Sequence, residues 1–241
     1  MRRLPATLRD ADALGSLLSA DLVAVPERAR AFFIAGLARL TSHRPILVGV
    51  PEAAEAERLA RDLGQLLGGG VELFPAWETL PFERVSPAVE TMGRRLRVIW
   101  RLRSSRSGSA GVLPRVIVAP VRALVQRLGP HVEEVEPLVV EAGARLDRDD
   151  LVATLVARGY RREYQVEARG EVAVRGSIVD VYPSTEHHPV RIDLWGDEVD
   201  RLQRFSIADQ RAAGDVTGVR IFPCRELLPT DDVRARARVL L

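Results

Sequence analysis

The sequence predicts an α/β fold in two parts, a parallel-sheet domain followed by a smaller α+β unit. Three observations lead to it. Short apolar runs at 45–50 and 115–119 suit strands buried on both faces, a further strand reads at 71–74, and amphipathic stretches separate them. Past Gly129 and Pro130 the runs give way to apolar/polar alternation, the pattern of strands with one wet face. The composition, 46% hydrophobic and 28% charged over 241 residues, is that of a folded chain long enough for one large domain or two small ones.

Taken in order, 8–40 reads as two helices. Leu14, Leu17, Leu18 and Leu22 recur at helical spacing, and Pro26 opens a second segment carrying Phe33, Leu37 and Leu40. The run 45–50 is a strand, 52–67 an amphipathic helix ended by Gly68, Gly69 and Gly70, and 71–74 the next strand. This is the repeating unit of a parallel sheet. A Pro-punctuated loop at 75–87 leads to a long basic helix through Arg103, a Ser/Gly loop at 104–111, a buried strand at 115–119 and a short helix at 121–128. The second part opens with a strand at 135–141, then a helix capped by Asp147 and stopped by Gly159. Strands at 171–175, 177–182, 190–195 and 198–205 then predict an antiparallel sheet. The stretch 208–218 is polar and linker-like. A strand at 219–222 and a helix from 231 follow, and the helical pattern still runs at residue 241, as expected of a fragment.

The charge balance excludes several chemistries. With 35 basic against 33 acidic residues the net charge is +2, too little to make a strong field for a phosphate backbone or an anionic membrane. Every basic side chain is Arg. Without Lys there is neither the lysine of a phosphate-binding loop nor a Schiff base. Cys224 stands alone, which excludes an internal disulfide and a Cys-rich zinc site and fits a reducing compartment. His187 and His188 would point to opposite faces of an extended chain, which suits no metal. Arg9, Asp10 and Asp12 interrupt any signal peptide, and no run of about 18 apolar residues exists. A cytoplasmic protein with no membrane partner is expected. Nothing resembles a catalytic constellation.

Four features could carry function. After the first strand, where a nucleotide-binding fold would hold a phosphate loop, 49–56 reads GVPEAAEA, and Glu52 and Glu55 would repel a triphosphate from the helix N-terminus. That is either a nucleotide-binding fold that has lost its site or an ordinary capped helix. Trp77, Phe82 and Arg84 could stack on unpaired bases or pack over a sheet edge. Arg94, Arg95, Arg97, Arg101 and Arg103 could contact phosphates or line a solvated helix face. In the second part, Val190, Ile192 and Leu194 point inward, so Arg191, Asp193 and Trp195 point out; Ala173 and Arg175 join them, and the next strand presents Asp180 and Tyr182. Such a face is either a protein-binding surface or a sheet knitted by cross-strand ion pairs.

The stretches RGSIVDVYP at 175–183, VRIDLWGDEV at 190–199, RFSIADQR at 204–211 and FPAWETLPF at 74–82 resemble the bacterial transcription-repair coupling factors (Mfd). The resemblance implies an N-terminal module similar to the excision-repair subunit UvrB. Residues 1–128 would form the first part of a degenerate nucleotide-binding, P-loop-like domain, 129–207 an inserted α+β domain that docks on UvrA, and 208–241 the return to the first domain. The implied function is non-catalytic: recruitment of UvrA to lesions where RNA polymerase has stalled. The module would need no cofactor, while the full-length protein would be a double-stranded DNA translocase using ATP and magnesium. The family's partner-binding arginines carry over to Arg162 and Arg175, and Arg191 and Asp193 match a neighbouring pair in the UvrB pattern. Tyr182, presented beside them, completes the set. Ala173 stands where UvrB has a further arginine. UvrB itself, an ATP-dependent repair subunit, is the nearest alternative, but its Walker A loop and Tyr-rich hairpin are absent here. A plain DNA-binding module using 94–103 is another.

Overall fold

The computed structural model describes residues 21–80, 83–106, 113–228 and 231–240. The expected helix around Leu14, Leu17 and Leu18, Phe82, and the Ser/Gly stretch from 107 lie outside the described residues. The chain forms two compact units, one from residues up to 76 together with 101–127, the other from 77–100 together with 128–241.

In the first unit, strands β1 (Ile46–Val50), β2 (Val71–Leu73) and β3 (Val116–Pro120) form a parallel sheet in the order β1-β3-β2. Helices α1 (Arg30–Leu40) and α2 (Ala53–Leu67) share a core with it. On α2, Ala56, Leu59, Leu63 and Leu67 recur at three and four and bury with Val50, Val116 and Val118. Gly68 ends the helix at φ 74°, and its N–H reaches the carbonyl of Gly64. The central strand β3 is buried at every residue, as its apolar run predicts. Strand β1 is not buried on both faces: it lies at the sheet edge and leaves Leu47 57% exposed.

Helix α3 (Val89–Arg106) is divided between the units after residue 100. The short helix α4 (Val121–Val125) follows β3 in the first unit and stops earlier than expected.

The second unit is built on a six-stranded sheet. Its strands β5 (Arg161–Arg162), β6 (Glu171–Arg175), β7 (Ile178–Val181), β8 (Val190–Trp195), β9 (Glu198–Phe205) and β10 (Ala212–Asp215) lie in the order β10-β9-β8-β7-β6-β5, antiparallel except for β5 beside β6. Helix α5 (Arg148–Ala157) contributes Leu151, Val152 and Leu155 to the core with Val172, Val179, Ile192, Val199 and Leu202. Its start is fixed by the Asp147 carboxylate, which accepts from the N–H groups of Asp149 and Asp150. The strand expected at 135–141 is shorter, β4 (Leu138–Glu141), and pairs with β11 (Gly218–Ile221) as a separate antiparallel ribbon. The stretch taken for a linker contains β10, whose small, exposed residues Ala212, Ala213 and Gly214 give an alternation test nothing to detect. Helix α6 (Asp231–Leu240) is the last element described.

Residues 77–100, read from sequence with the first domain, pack with the second unit. Leu96 and Trp100 of α3 form a small core with Val132 and Phe222. Arg95 of the same helix is fully buried and donates through Nε to the Glu226 carboxylate, which also accepts from the Trp77 indole at 3.0 Å.

Candidate functional site

Strand register decides which residues meet on the outer face of the six-stranded sheet, the face turned away from α5. Glu171, Ala173 and Arg175 alternate onto it from β6. Ala173 lies opposite Asp180, Asp180 opposite Arg191, and Arg191 opposite Gln203. One row further, Arg175 pairs with Ile178, Ile178 with Asp193, and Asp193 with Arg201.

The centre of this face is a carboxylate under two guanidinium groups. Asp180 is only 1% exposed; it accepts from Arg191 Nε and Nη2 at 2.8 and 2.9 Å and from Arg175 Nη2 at 2.9 Å. Burying a carboxylate without partners is costly, and these contacts supply them. The hydrogen bonds from Arg191 to Asp180 hold that guanidinium above its usual pKa. Arg191 is largely covered, stacking 4.8 Å over the Phe205 ring, whereas the Arg175 side chain remains 43% exposed. Arg201 and Asp215 close a bidentate pair at the β9–β10 edge, which raises the guanidinium and lowers the carboxyl from their usual values.

Tyr182 departs from the sequence expectation of an outward, solvent-facing ring. It leaves the main core, but only 9% of it is exposed, because Val166 and Phe205 close over it with Ala173 in a second, smaller core. Its hydroxyl donates to the His187 carbonyl at 2.9 Å, and Arg169 stacks 5.2 Å over its ring. A sheet face turned away from one core can be covered by another, and alternation alone does not distinguish the two cases.

Arg162 is exposed on the edge strand β5, but its register partner is Val172, which points into the main core. Its neighbour Arg161 is the one that shares the face of Arg175, pairing with Glu171 at 3.0 Å. The sequence motif placed both arginines in one region; the parallel register separates their faces by one residue. Asp193 is half-buried and accepts from the Ser177 hydroxyl at 3.2 Å.

The other candidate features are engaged within the protein. Of the basic helix, Arg94 pairs with Glu90, Arg95 with Glu226 and Arg101 with Glu72, while Arg97 reaches the Thr185 carbonyl. Trp77 is bound to Glu226. At the loop 49–56, Glu52 occupies the N-cap position of α2 and Glu55, in its first turn, pairs with Arg30. Cys224 is buried and its thiol is pushed up to about 12, mainly by burial. Among the described residues one group could hold a cation, the exposed His131, Glu133 and Glu134. No helix among them is long and apolar enough to cross a membrane.

Residues 138–227, which carry all of this face, match the UvrB interaction domain. Transcription-repair-coupling factors of Mycobacterium bovis and Mycobacterium tuberculosis are each 42% identical to the chain over 217 residues, 89% of this chain and 17% of theirs. That of Haemophilus influenzae is 32% identical over 231 residues, 95% of this chain and 19% of its own length. The chain thus spans under a fifth of the length of these relatives. Over that stretch the chain is similar to the transcription-repair-coupling factors, and its residues 138–227 are similar to the UvrB interaction domain.

Proposed function

We propose that this chain is a non-catalytic recruitment module that docks on UvrA through the outer face of its six-stranded sheet. In the full-length protein, that docking would bring UvrA to double-stranded DNA where RNA polymerase has stalled, with an ATP- and magnesium-dependent translocase motor elsewhere in the chain. The observation that carries the proposal is Arg175, an exposed guanidinium held in place by a buried carboxylate within the region matching the UvrB interaction domain. A guanidinium oriented before binding loses little freedom on meeting a partner's carboxylate. Arg191 and Asp193 support the same face from beneath and beside it, Tyr182 supports it by packing, and Arg162 is exposed at the edge strand but in register with the opposite face.

The first unit we read as a nucleotide-binding, P-loop-like domain whose site is lost. Glu52 and Glu55 stand where phosphate would bind, and the chain has no Lys. This unit would bind no nucleotide and need no cofactor. ATP hydrolysis by the purified chain, measured with and without DNA, is expected to stay at background; clear turnover would favour an ATP-dependent subunit like UvrB.

Docking is tested by the affinity of the chain for purified UvrA. Arg175→Ala is expected to cost on the order of 2 kcal/mol, as truncation of a binding hot spot does, and Arg175→Glu to abolish binding. UvrB is expected to compete for the same UvrA surface. Normal binding by a folded Arg175→Glu variant would move the docking site elsewhere.

A further inference from the structure

The outer face of the six-stranded sheet is only half open. At one end Val166, Tyr182 and Phe205 form the second core, and Gln210 donates to the Val166 carbonyl while accepting at its own carbonyl from Arg191. At the other end lie the turns joining β6 to β7 and β8 to β9. The antiparallel register brings them side by side: Ile178 pairs with Asp193, and the Leu194 N–H donates to the Ser177 carbonyl. Arg175 and Trp195 are therefore at the same end of the same face.

Trp195 is 84% exposed. The register shift between Asp193 and Leu194 keeps Leu194 and Val199 together in the core and stands Trp195 opposite Glu198, facing outward. The other two tryptophans have hydrogen-bond partners inside the second unit, Trp77 with Glu226 and Trp100 with Glu136. From the spacing of strands and residues, Trp195 lies roughly 12 Å from Arg175, well within one interface patch.

Charge points to the kind of partner. Arg175 and Arg191 share the single carboxylate of Asp180, whereas Arg201 is matched by Asp215. Arg175, the more exposed of the two arginines, spends one N–H on Asp180 and keeps its other donors for a partner. A surface complementary to this end offers a carboxylate to Arg175 and an apolar recess to the indole.

We propose that Trp195 is the apolar anchor of the docking surface, acting together with Arg175 on a protein partner that sets a carboxylate beside an apolar recess. The proposal rests on the docking described above and takes UvrA as that partner. Asp180 is a positioning residue for it, since it fixes the guanidinium without reaching the partner.

The test compares the affinity for UvrA of the parent chain with those of Trp195→Ala, Trp195→Phe and Arg175→Glu, each checked for an unchanged melting temperature. Trp195→Ala is expected to weaken binding on the order of 30-fold, as a central aromatic hot spot does, and Trp195→Phe to recover most of it. With the chain labelled by 5-fluorotryptophan, the fluorine resonance missing from Trp195→Phe should shift when unlabelled UvrA is added. If Arg175→Glu abolishes binding while Trp195→Ala stays within about twofold of the parent and its resonance does not move, the anchor is refuted and the docking face survives. If neither substitution weakens binding, the docking face itself is wrong. Loss with Trp195→Ala but not with Arg175→Glu would overturn the pairing of the two anchors.

Discussion

Gly93→Ala sets two effects of opposite sign against each other. Gly93 lies within α3, and in an open helix replacing glycine by alanine stabilises by about 1 kcal/mol. Here the added Cβ would sit 2.3 Å from Ser184 Oγ, 2.6 Å from Ser184 Cβ and 3.2 Å from Thr185 Cγ2. Ser184 has little room to yield. It is fully buried, its hydroxyl donates towards the carbonyls of Phe222 and Pro223, and its N–H donates to the Tyr160 hydroxyl. Overpacking of this kind costs about 1–3 kcal/mol, and displacing the serine would also take its hydroxyl from the Pro223 carbonyl, while Phe222 keeps the Tyr160 hydroxyl, at a further ~1 kcal/mol. The steric side wins, and the second unit should lose about 2 kcal/mol. Gly64 in α2 provides the control, because nothing lies within 4 Å of its added Cβ, so Gly64→Ala should stabilise by about 1 kcal/mol. Urea unfolding followed by hydrogen exchange, read separately on peptides of each unit, measures both. Adding Ser184→Gly to Gly93→Ala should recover part of the loss as a coupling energy. If Gly93→Ala stabilised the second unit as Gly64→Ala does the first, the packing of α3 against Ser184 would be refuted.

Three further outcomes follow from the second unit. Asp147→Ala removes the acceptor for two N–H groups at the start of α5 and should cost about 1 kcal/mol in chemical denaturation, with Asp147→Asn costing less. Cys224, buried with its thiol pushed up to about 12, should resist a thiol reagent at pH 8 and react only as the second unit opens, so labelling should accelerate with urea; reaction of the folded chain at the rate of a free thiol would contradict its burial. Tyr182→Ala should destabilise by about 3–5 kcal/mol through loss of the small outer core, and Tyr182→Phe by only about 1 kcal/mol, so thermal melts should separate the two.

Strands β6 to β9 and the capped helix α5 were legible because each carries its own local signal: alternation along the strands, glycines and Asp197 in the turns, Asp147 ahead of the helix and Gly159 behind it. What stayed hidden depends on contacts distant in sequence. The alternation that sends Tyr182 away from one core says nothing of Phe205 closing over it from β9. A strand of two residues has no period, so the choice between Arg161 and Arg162 rests on a parallel pairing with β6 that only the fold supplies. The arginines of α3 look like a solvated stripe until Glu226, 131 residues after Arg95, supplies a buried partner. Strand β1 reads as an interior strand by composition and lies at the edge because β3 pairs between it and β2.

Under the proposed docking, Asp180 would serve folding and binding with a single negative charge. The carboxylate that stitches β7 to β8 through Arg191 is also the one that aims Arg175 outward. A visitor that supplies Arg175 with a second carboxylate relieves the crowding of two cations on one anion, and so strengthens the sheet it lands on. By linkage the effect is reciprocal: whatever loosens the grip of Asp180 weakens the visitor's hold by the same free energy. The domain can therefore act as its own gauge, its resistance to unfolding rising with occupancy of a surface that the partner touches only from outside.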